Sequence, residues 1–153
     1  MAYFKDLTPY GYFGNSEKQD TPVLNVGWLE TDEFEKGGTS QEFREKLFQF
    51  CLDQNLVLIA RGFQECLFCG MSWGDWGQNH PDYGPNAHWM SIGDGELRVI
   101  GRSALYAAPA LIYHYVVEHN YKPPQEFIDA VLTGPQPGSN EHQRYLNLFK
   151  SRG

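Results

Sequence analysis

The stretch SALYAAPALIYHYVVEHNY, residues 103–121, carries the strongest folding signal in the chain. Residues 103–117 contain no Asp, Glu, Lys or Arg, so we expect them to be largely buried. They are too few to span a bilayer, and Pro109 and His114 break the apolar run. Pro109 predicts the start of a helix, because the first helical turn does not need its missing N–H. Asn120 predicts the end of that helix in a left-handed conformation.

Shorter signals on both sides of this stretch predict the remaining elements. Apolar runs at residues 23–29 and 56–60 predict strands, and Asp94-Gly95 predicts the tight turn of a hairpin. Thr39, followed by Glu42, predicts the cap of a helix that ends near residue 54. Two more helices are expected, one ending at Gly134 and one capped by Ser139. The expected fold class is α+β, a small antiparallel sheet with about four helices, in a single domain over residues 1–153.

Length and charge exclude several classes of protein. The chain has 153 residues and a formal net charge of −7, which argues against nucleic acids and anionic membranes as partners. Residues 1–10 lack the apolar run of a signal peptide, and the three cysteines are an odd number. We therefore expect a cytoplasmic protein with reduced thiols. Cys51 falls in a helical pattern and is expected to be a buried apolar residue.

Cys66 and Cys69 form the sequence Cys-Leu-Phe-Cys-Gly, which is typical of a zinc knuckle. Two thiolates at this spacing can bind one tetrahedral Zn²⁺, and the trailing glycine permits a tight turn. Such a knuckle supplies half of a site, and the loop that contains it is part of the expected fold. One alternative is that the two cysteines are buried or free thiols. Another is a thioredoxin-like redox pair, which should lie at the start of a helix. The glycines after residue 69 disfavour a helix there.

Two histidines are the favoured remaining ligands of a structural zinc ion. The candidates are His80, His88, His114, His119 and His142, and the pair His114 and His119 has a spacing found in zinc fingers. Two residues five positions apart on an ideal helix point in directions that differ by about 140°. Both histidines can therefore bind one ion only if the last turn of the helix loosens near His119. The predicted metal ligands are Cys66, Cys69, His114 and His119. Alternatively, the histidines form hydrogen bonds in the core.

Enzymatic signatures are weak in this chain, and no catalytic residue is predicted. The order of residues needed for a zinc deaminase is absent, and so are the Walker and dinucleotide-binding fingerprints. A metal-dependent hydrolase or a nuclease of the HNH type is the alternative, with His88 near the hairpin and His114 on the helix. Lys and Arg are scattered along the chain, which counts against binding phosphates.

The negative charge is concentrated in one acidic and aromatic stretch of the sequence. Residues 62–97 contain five acidic residues and no Lys or Arg. Aromatic anchors beside acidic groups are typical of a surface that attracts a basic protein partner. The alternative is a set of core aromatics beneath solvated acids. The predicted partner-binding residues are Trp73, Asp75, Trp76, Asp82, Tyr83 and Trp89.

Several strings together resemble a family of small uncharacterised bacterial proteins. They are YFKDLTPY from residue 3, VGWL from residue 26, CLFC from residue 66, GELRV from residue 95 and YAAPALIYHYVVEHNYKPP from residue 106. The resemblance reaches to about Leu132, implies a bacterial origin, and marks His114 and His119 as members of a motif. Residues 73–89 look like an insertion. No settled activity comes with this family.

These observations favour a non-enzymatic binding protein with a structural zinc site. Its small size, its negative charge and the stretch 62–97 lead us to expect that it neutralises a basic toxin by binding it, as immunity proteins do. We expect a protein partner, such as a basic toxin domain, with no nucleic acid and no membrane.

Overall fold

The computed structural model describes residues 5–9, 22–29, 31, 33–51, 55–56, 58–63, 66, 68 and 93–152. Within them, four strands form one sheet in the order β1-β4-β3-β2. The strands are β1 (Val23–Asn25), β2 (Leu58–Phe63), β3 (Gly93–Ile100) and β4 (Leu105–Pro109). The helices in the same residues are α1 (Gln41–Phe50), α2 (Ile112–His119), α3 (Gln125–Thr133) and α4 (Asn140–Arg152).

The α+β class is confirmed, but the sheet is mixed rather than antiparallel. β3 pairs antiparallel with both β2 and β4, whereas β1 pairs parallel with β4, with Val23 opposite Leu105. A parallel pair needs a long crossover, and the chain between β1 and β4 supplies it with α1, β2 and β3. Short local signals could not reveal this non-local pairing.

The predicted turn at Asp94-Gly95 is wrong, because both residues lie inside strand β3. Gly95 has a packing role instead. A Cβ at this position would lie 2.6 Å from Leu56 Cδ1 and 3.3 Å from Ala110 Cβ. Its carbonyl also accepts a hydrogen bond from the amide of Ala110 at 2.8 Å. The glycine therefore permits a close approach of neighbouring segments rather than a turn.

The structure also differs from the prediction at the starts of two helices. Ser40, not Thr39, caps α1, because its hydroxyl accepts the amide hydrogen of Phe43 at 3.1 Å. Pro109 ends strand β4, and helix α2 begins three residues later at Ile112. The predicted ends at Asn120 and Gly134 are confirmed, as is Ser139 at the start of α4.

The two faces of the sheet bury different sets of side chains, since neighbouring residues of a strand point to opposite faces. One face carries the main core against helices α1, α2 and α3, and includes Leu97, Val99, Tyr106, Phe43, Leu47, Ile112, Tyr115, Phe127 and Val131. The opposite face carries a smaller cluster of Val23, Leu105 and Ala107, against which Tyr145 of α4 packs. In the described part of the chain, no helix combines the length and apolarity needed to cross a membrane.

Residues 5–9 form a strap along the outer edge of β1. The amide of Leu7 donates to the carbonyl of Asn25 at 2.7 Å, and the amide of Asn25 donates to the carbonyl of Thr8 at 2.8 Å. The side-chain amide of Asn25 adds hydrogen bonds to Thr8 and Pro9. This N-terminal strap therefore covers an edge strand that would otherwise expose its backbone groups.

His142 anchors α4 to the rest of the protein. Its side chain is fully buried, its ring lies 5.4 Å from the ring of Phe50, and its Nε2 lies 3.1 Å from the carbonyl oxygen of Arg98. Arg98 is itself buried and forms an ion pair with Glu96 at 2.6 Å. Burial lowers the pKa of His142, although the hydrogen bond to the Arg98 carbonyl opposes this effect. His142 is therefore neutral near pH 7.

We predict that Gly27→Ala lowers the free energy of unfolding by about 2–4 kcal/mol. Gly27 has a φ of +82°, and a Cβ there would lie 2.8 Å from Ile112 Cδ1. Urea denaturation measures the change, and Gly38→Ala is the control because a Cβ at Gly38 meets nothing within 4 Å. Equal unfolding midpoints for the two variants would contradict the described packing.

We predict that the free energy of unfolding falls as the pH drops below about 6.5, in part through His142. The lowered pKa means that the unfolded state binds more protons in this range, so acid favours unfolding. The variant His142→Gln can still donate to the Arg98 carbonyl but does not titrate. Urea denaturation between about pH 7.5 and 5.5, with a chelator present in both samples, should give a smaller loss for the variant. Parallel pH profiles would count against a buried neutral His142.

Candidate metal centre

Cys66, His114 and His119 converge on one point of the structure. Their ligand atoms all lie within 4.8 Å of one another. Cys66 Sγ is 3.3 Å from His119 Nε2, and the two imidazole ring centroids are 5.1 Å apart. Three of the four residues predicted as metal ligands therefore lie together in space. Along the sequence, strands β3 and β4 separate Cys66 from the two histidines. The fourth, Cys69, lies outside the described residues.

The last turn of α2 explains how His114 and His119 reach the same point. In an α-helix the amide of Asn120 would donate to the residue four positions earlier. Here it donates to the carbonyl of Tyr115, five positions earlier, and the amide of Tyr121 donates to the same carbonyl at 3.1 Å. The turn is wider than an α-helical turn, of the kind found in π-type segments. This is the loosening that the spacing of the histidines requires.

The left-handed conformation of Asn120 closes the widened turn. Its φ is 55° and its ψ is 27°, and its carbonyl accepts the amide hydrogen of Gly37 at 2.9 Å. Asparagine tolerates this conformation better than most residues other than glycine. The end of the helix is therefore held by its own backbone and by the loop that precedes α1.

Cys66 is the candidate ligand in the segment after β2. Its side chain is 1% exposed, and its sulfur accepts the amide hydrogen of Phe68 at 3.4 Å. An amide directed at the sulfur stabilises a thiolate, which is the form that binds metals. Cys51, by contrast, is buried in the core, and burial strongly raises the pKa of its thiol. The expectation that Cys51 is a buried apolar residue is confirmed.

An aromatic shell, formed by Phe34, Phe68, Tyr115 and Tyr121, packs beside the cluster. The ring of Phe68 lies 5.3 Å from that of His119 and 5.7 Å from that of Tyr115. Phe34 packs against both Phe68 and Tyr121, each at 5.6 Å. Such a shell restricts water and strengthens electrostatic interactions at a metal site.

The surroundings keep both imidazoles neutral. Burial and the neighbouring His119 lower the pKa of His114 to about 4, and Glu118 opposes them weakly. Burial also lowers the pKa of His119, again against Glu118. Neutral imidazole is the form that coordinates a metal ion, so neither histidine has to lose a proton near pH 7.

One of the ligand-atom separations in the cluster is compatible with a bound zinc ion. With Zn–S near 2.3 Å and Zn–N near 2.0 Å, the 3.3 Å separation of Cys66 Sγ and His119 Nε2 corresponds to an angle of about 100° at the metal. This is close to the tetrahedral angle. Ligand atoms around tetrahedral zinc lie about 3.3–3.8 Å apart, so closing the cluster needs shifts of about an ångström.

Among the described residues, the remaining candidate ligand, His142, does not belong to this cluster. His142 lies against Phe50 and Arg98. His80, His88 and all six predicted partner-binding residues, Trp73, Asp75, Trp76, Asp82, Tyr83 and Trp89, lie outside the described residues. Glu96 was counted among the acids of residues 62–97, but it is buried and paired with Arg98. It therefore does not contribute to an exposed acidic surface.

Sequence reasoning did not identify Phe34 or Asp6 as neighbours of the site. Phe34 joins the aromatic shell from the loop before α1, and Asp6 accepts a hydrogen bond from the hydroxyl of Tyr121 at 2.7 Å. These contacts are long-range, so no periodicity reveals them. A signal for Asp6 did exist, because it and Tyr121 both fall in the strings that carry the family resemblance.

The comparison with protein families places the chain in one of them. Residues 2–132 match a family described as a domain of unknown function, DUF7919, and the chain belongs to this family. Neither curated proteins nor solved structures provide a match. The matched span includes Cys66, His114 and His119, whereas helix α4 lies beyond it.

We predict that Asn120→Ala lowers the free energy of unfolding by about 1 kcal/mol, because alanine lacks the short polar side chain that lets asparagine tolerate the left-handed conformation. Asn120→Gly should retain the stability, since glycine adopts this conformation freely. Thermal unfolding of the two variants and the wild type measures the difference. If both variants behave alike, the described end of α2 is incorrect.

Proposed function

We propose that the chain is a zinc-binding protein in which Cys66, His114 and His119 hold one structural ion, with Cys69 as the fourth ligand. The observation that carries the proposal is the convergence of the three described side chains within 4.8 Å. The expected function is binding a partner rather than catalysis, and no catalytic residue is assigned.

The donor set supports zinc over other metal ions. One thiolate and two imidazoles suit a borderline-soft ion, and oxygen-preferring ions such as Mg²⁺ are disfavoured. Copper uses the same three donors in a trigonal arrangement, with angles near 120°. Zinc is favoured because Cys69 would add a second thiolate, which completes the closed four-ligand set of structural zinc.

Burial and connectivity support a structural role. Cys66 and His114 are each 1% exposed, so the ion would lie against the core. It would also join the segment after β2 to the end of α2, two parts of the chain that are far apart in sequence. Cys69, three residues after Cys66, has the spacing of the second thiolate in zinc knuckles. A closed set of four protein ligands is typical of structural zinc.

A metal-dependent hydrolase is the second candidate. His119 is only half-buried, and three protein ligands with a water molecule in the fourth position is the arrangement of catalytic zinc. The identity of the fourth ligand therefore distinguishes the two functions. The HNH-type version of this alternative also involves His88, and it stays a prediction.

The partner-binding role rests on charge. The net charge of −7 and the absence of Lys and Arg from residues 62–97 support an acidic surface that attracts a basic protein. Neutralisation of a toxin stays a prediction from this pattern. A gene for a toxin domain directly upstream, whose product copurifies with this chain, would support it, and a housekeeping gene context without such a product would count against it.

We predict that the purified protein binds one equivalent of zinc and that Co²⁺ in the same site shows a thiolate-to-metal charge-transfer band. Cys66→Ala and His114→Gln should each abolish stoichiometric binding, because each removes a buried ligand. The matched controls are Cys51→Ala and His142→Gln, which change a buried thiol and a buried imidazole outside the cluster. These controls should bind cobalt like the wild type.

The variant Cys69→Ser separates the two candidate functions. If Cys69 is the fourth ligand, the charge-transfer band of the cobalt protein weakens, because one of two thiolates is lost. An unchanged band would show that Cys69 is not a ligand, and an exchangeable water molecule in the fourth position would then favour the hydrolase. A protein that binds no metal, with Cys66 titrating freely in the native state, would overturn the zinc site altogether.

A further inference from the structure

We infer that Asp6 is a positioning residue of the metal centre, which holds the end of α2 in place through Tyr121. The inference rests on the proposed zinc site and extends it to the N-terminal strap. Asp6 does not belong to the ligand cluster, and it would act through Tyr121 on the segment that carries His119.

The carboxylate of Asp6 joins two distant parts of the chain. One oxygen, Oδ1, accepts the amide hydrogen of Gly27 at 2.9 Å. The other, Oδ2, accepts the hydroxyl hydrogen of Tyr121 at 2.7 Å, across 115 positions of sequence. Hydrogen bonds to a charged acceptor are stronger than neutral ones, so this bridge is a firm attachment.

Tyr121 connects the Asp6 carboxylate to the segment that carries His119. It follows His119 by two residues and is fully buried, and its amide completes the widened turn at the carbonyl of Tyr115. Its ring meets the ring of Phe34 edge-on, and Phe34 packs on Phe68, which packs on the ring of His119. The position of Tyr121 therefore affects His119 both through the backbone and through the aromatic shell.

The strap is held firmly enough to act as an anchor. Leu7 adopts a φ of 67°, which is unusual for a residue other than glycine, and its amide bonds to the carbonyl of Asn25. A strained residue persists only where its surroundings fix it. The strap is tied to β1 on one side of Asp6, and Gly27 holds the carboxylate itself. The sheet thus holds the strap in place, and Asp6 in the strap in turn holds the end of α2.

The test measures the zinc dissociation constant by competition with a chromophoric chelator. Asp6→Asn removes the charged acceptor, and Tyr121→Phe removes only the hydroxyl. We expect each variant to bind zinc up to about tenfold more weakly, the lower end of the effect of losing a direct hydrogen-bond partner of a metal ligand, because Asp6 and Tyr121 act on His119 indirectly. The double variant should bind no more weakly than either single variant, because both disrupt the same hydrogen bond.

Thr8→Val is the matched control within the strap. It removes the hydroxyl that donates to the carbonyl of Lys5 at 2.6 Å and lies 3.2 Å from the side-chain amide of Asn25, but it keeps the Asp6 carboxylate and the Tyr121 hydroxyl. We expect this variant to lose stability while keeping the zinc dissociation constant of the wild type. If Asp6→Asn does not fold, Tyr121→Phe decides the question.

The outcomes distinguish failure of the inference from failure of the proposed function. A wild-type protein without zinc affinity contradicts the metal site itself. A wild type that binds zinc, with Tyr121→Phe or Asp6→Asn binding equally well, contradicts only the positioning role. The same conclusion follows if Thr8→Val weakens zinc binding as much as the two site variants, since the effect would then reflect general loss of strap stability.

Discussion

The widened last turn of α2 is the constraint on which the site depends. Two histidines five positions apart point in different directions on a regular helix, by about 140°. The shared acceptor at the Tyr115 carbonyl and the left-handed Asn120 change this geometry. A cluster of one cysteine and two histidines can then form beside the core. The features that surround the turn, from the loop before α1 to the N-terminal strap, hold it in that shape.

Burial of the ligands has an energetic consequence for the protein without metal. His114 is almost fully buried, and its lowered pKa shows that a charged imidazole is unfavourable there. A bound cation would offset the cost of placing polar groups against the core, because the ligands would direct their lone pairs at the metal. Metal binding and folding are therefore expected to be coupled at this end of the molecule.

The candidate metal cluster was predictable from the sequence because its residues are chemically distinctive. The spacing of Cys66 and Cys69 and the pair of histidines identified three residues that the structure brings together. The need for a loosened turn followed from helix geometry alone. Asp94-Gly95 was misinterpreted, since a glycine required for close packing and one required for a turn look alike in sequence. The parallel pairing of β1 and the contact of Asp6 with Tyr121 depend on the tertiary fold, which local patterns do not encode.

The most direct test of the zinc site is X-ray absorption spectroscopy of the zinc-loaded protein. The expected spectrum contains sulfur at about 2.3 Å and imidazole nitrogen at about 2.0 Å, with a total of four ligands. The multiple-scattering signal should correspond to two imidazoles, as coordination by His114 and His119 requires. A first shell of oxygen and nitrogen alone, without sulfur, would contradict coordination by Cys66 and with it the proposed centre.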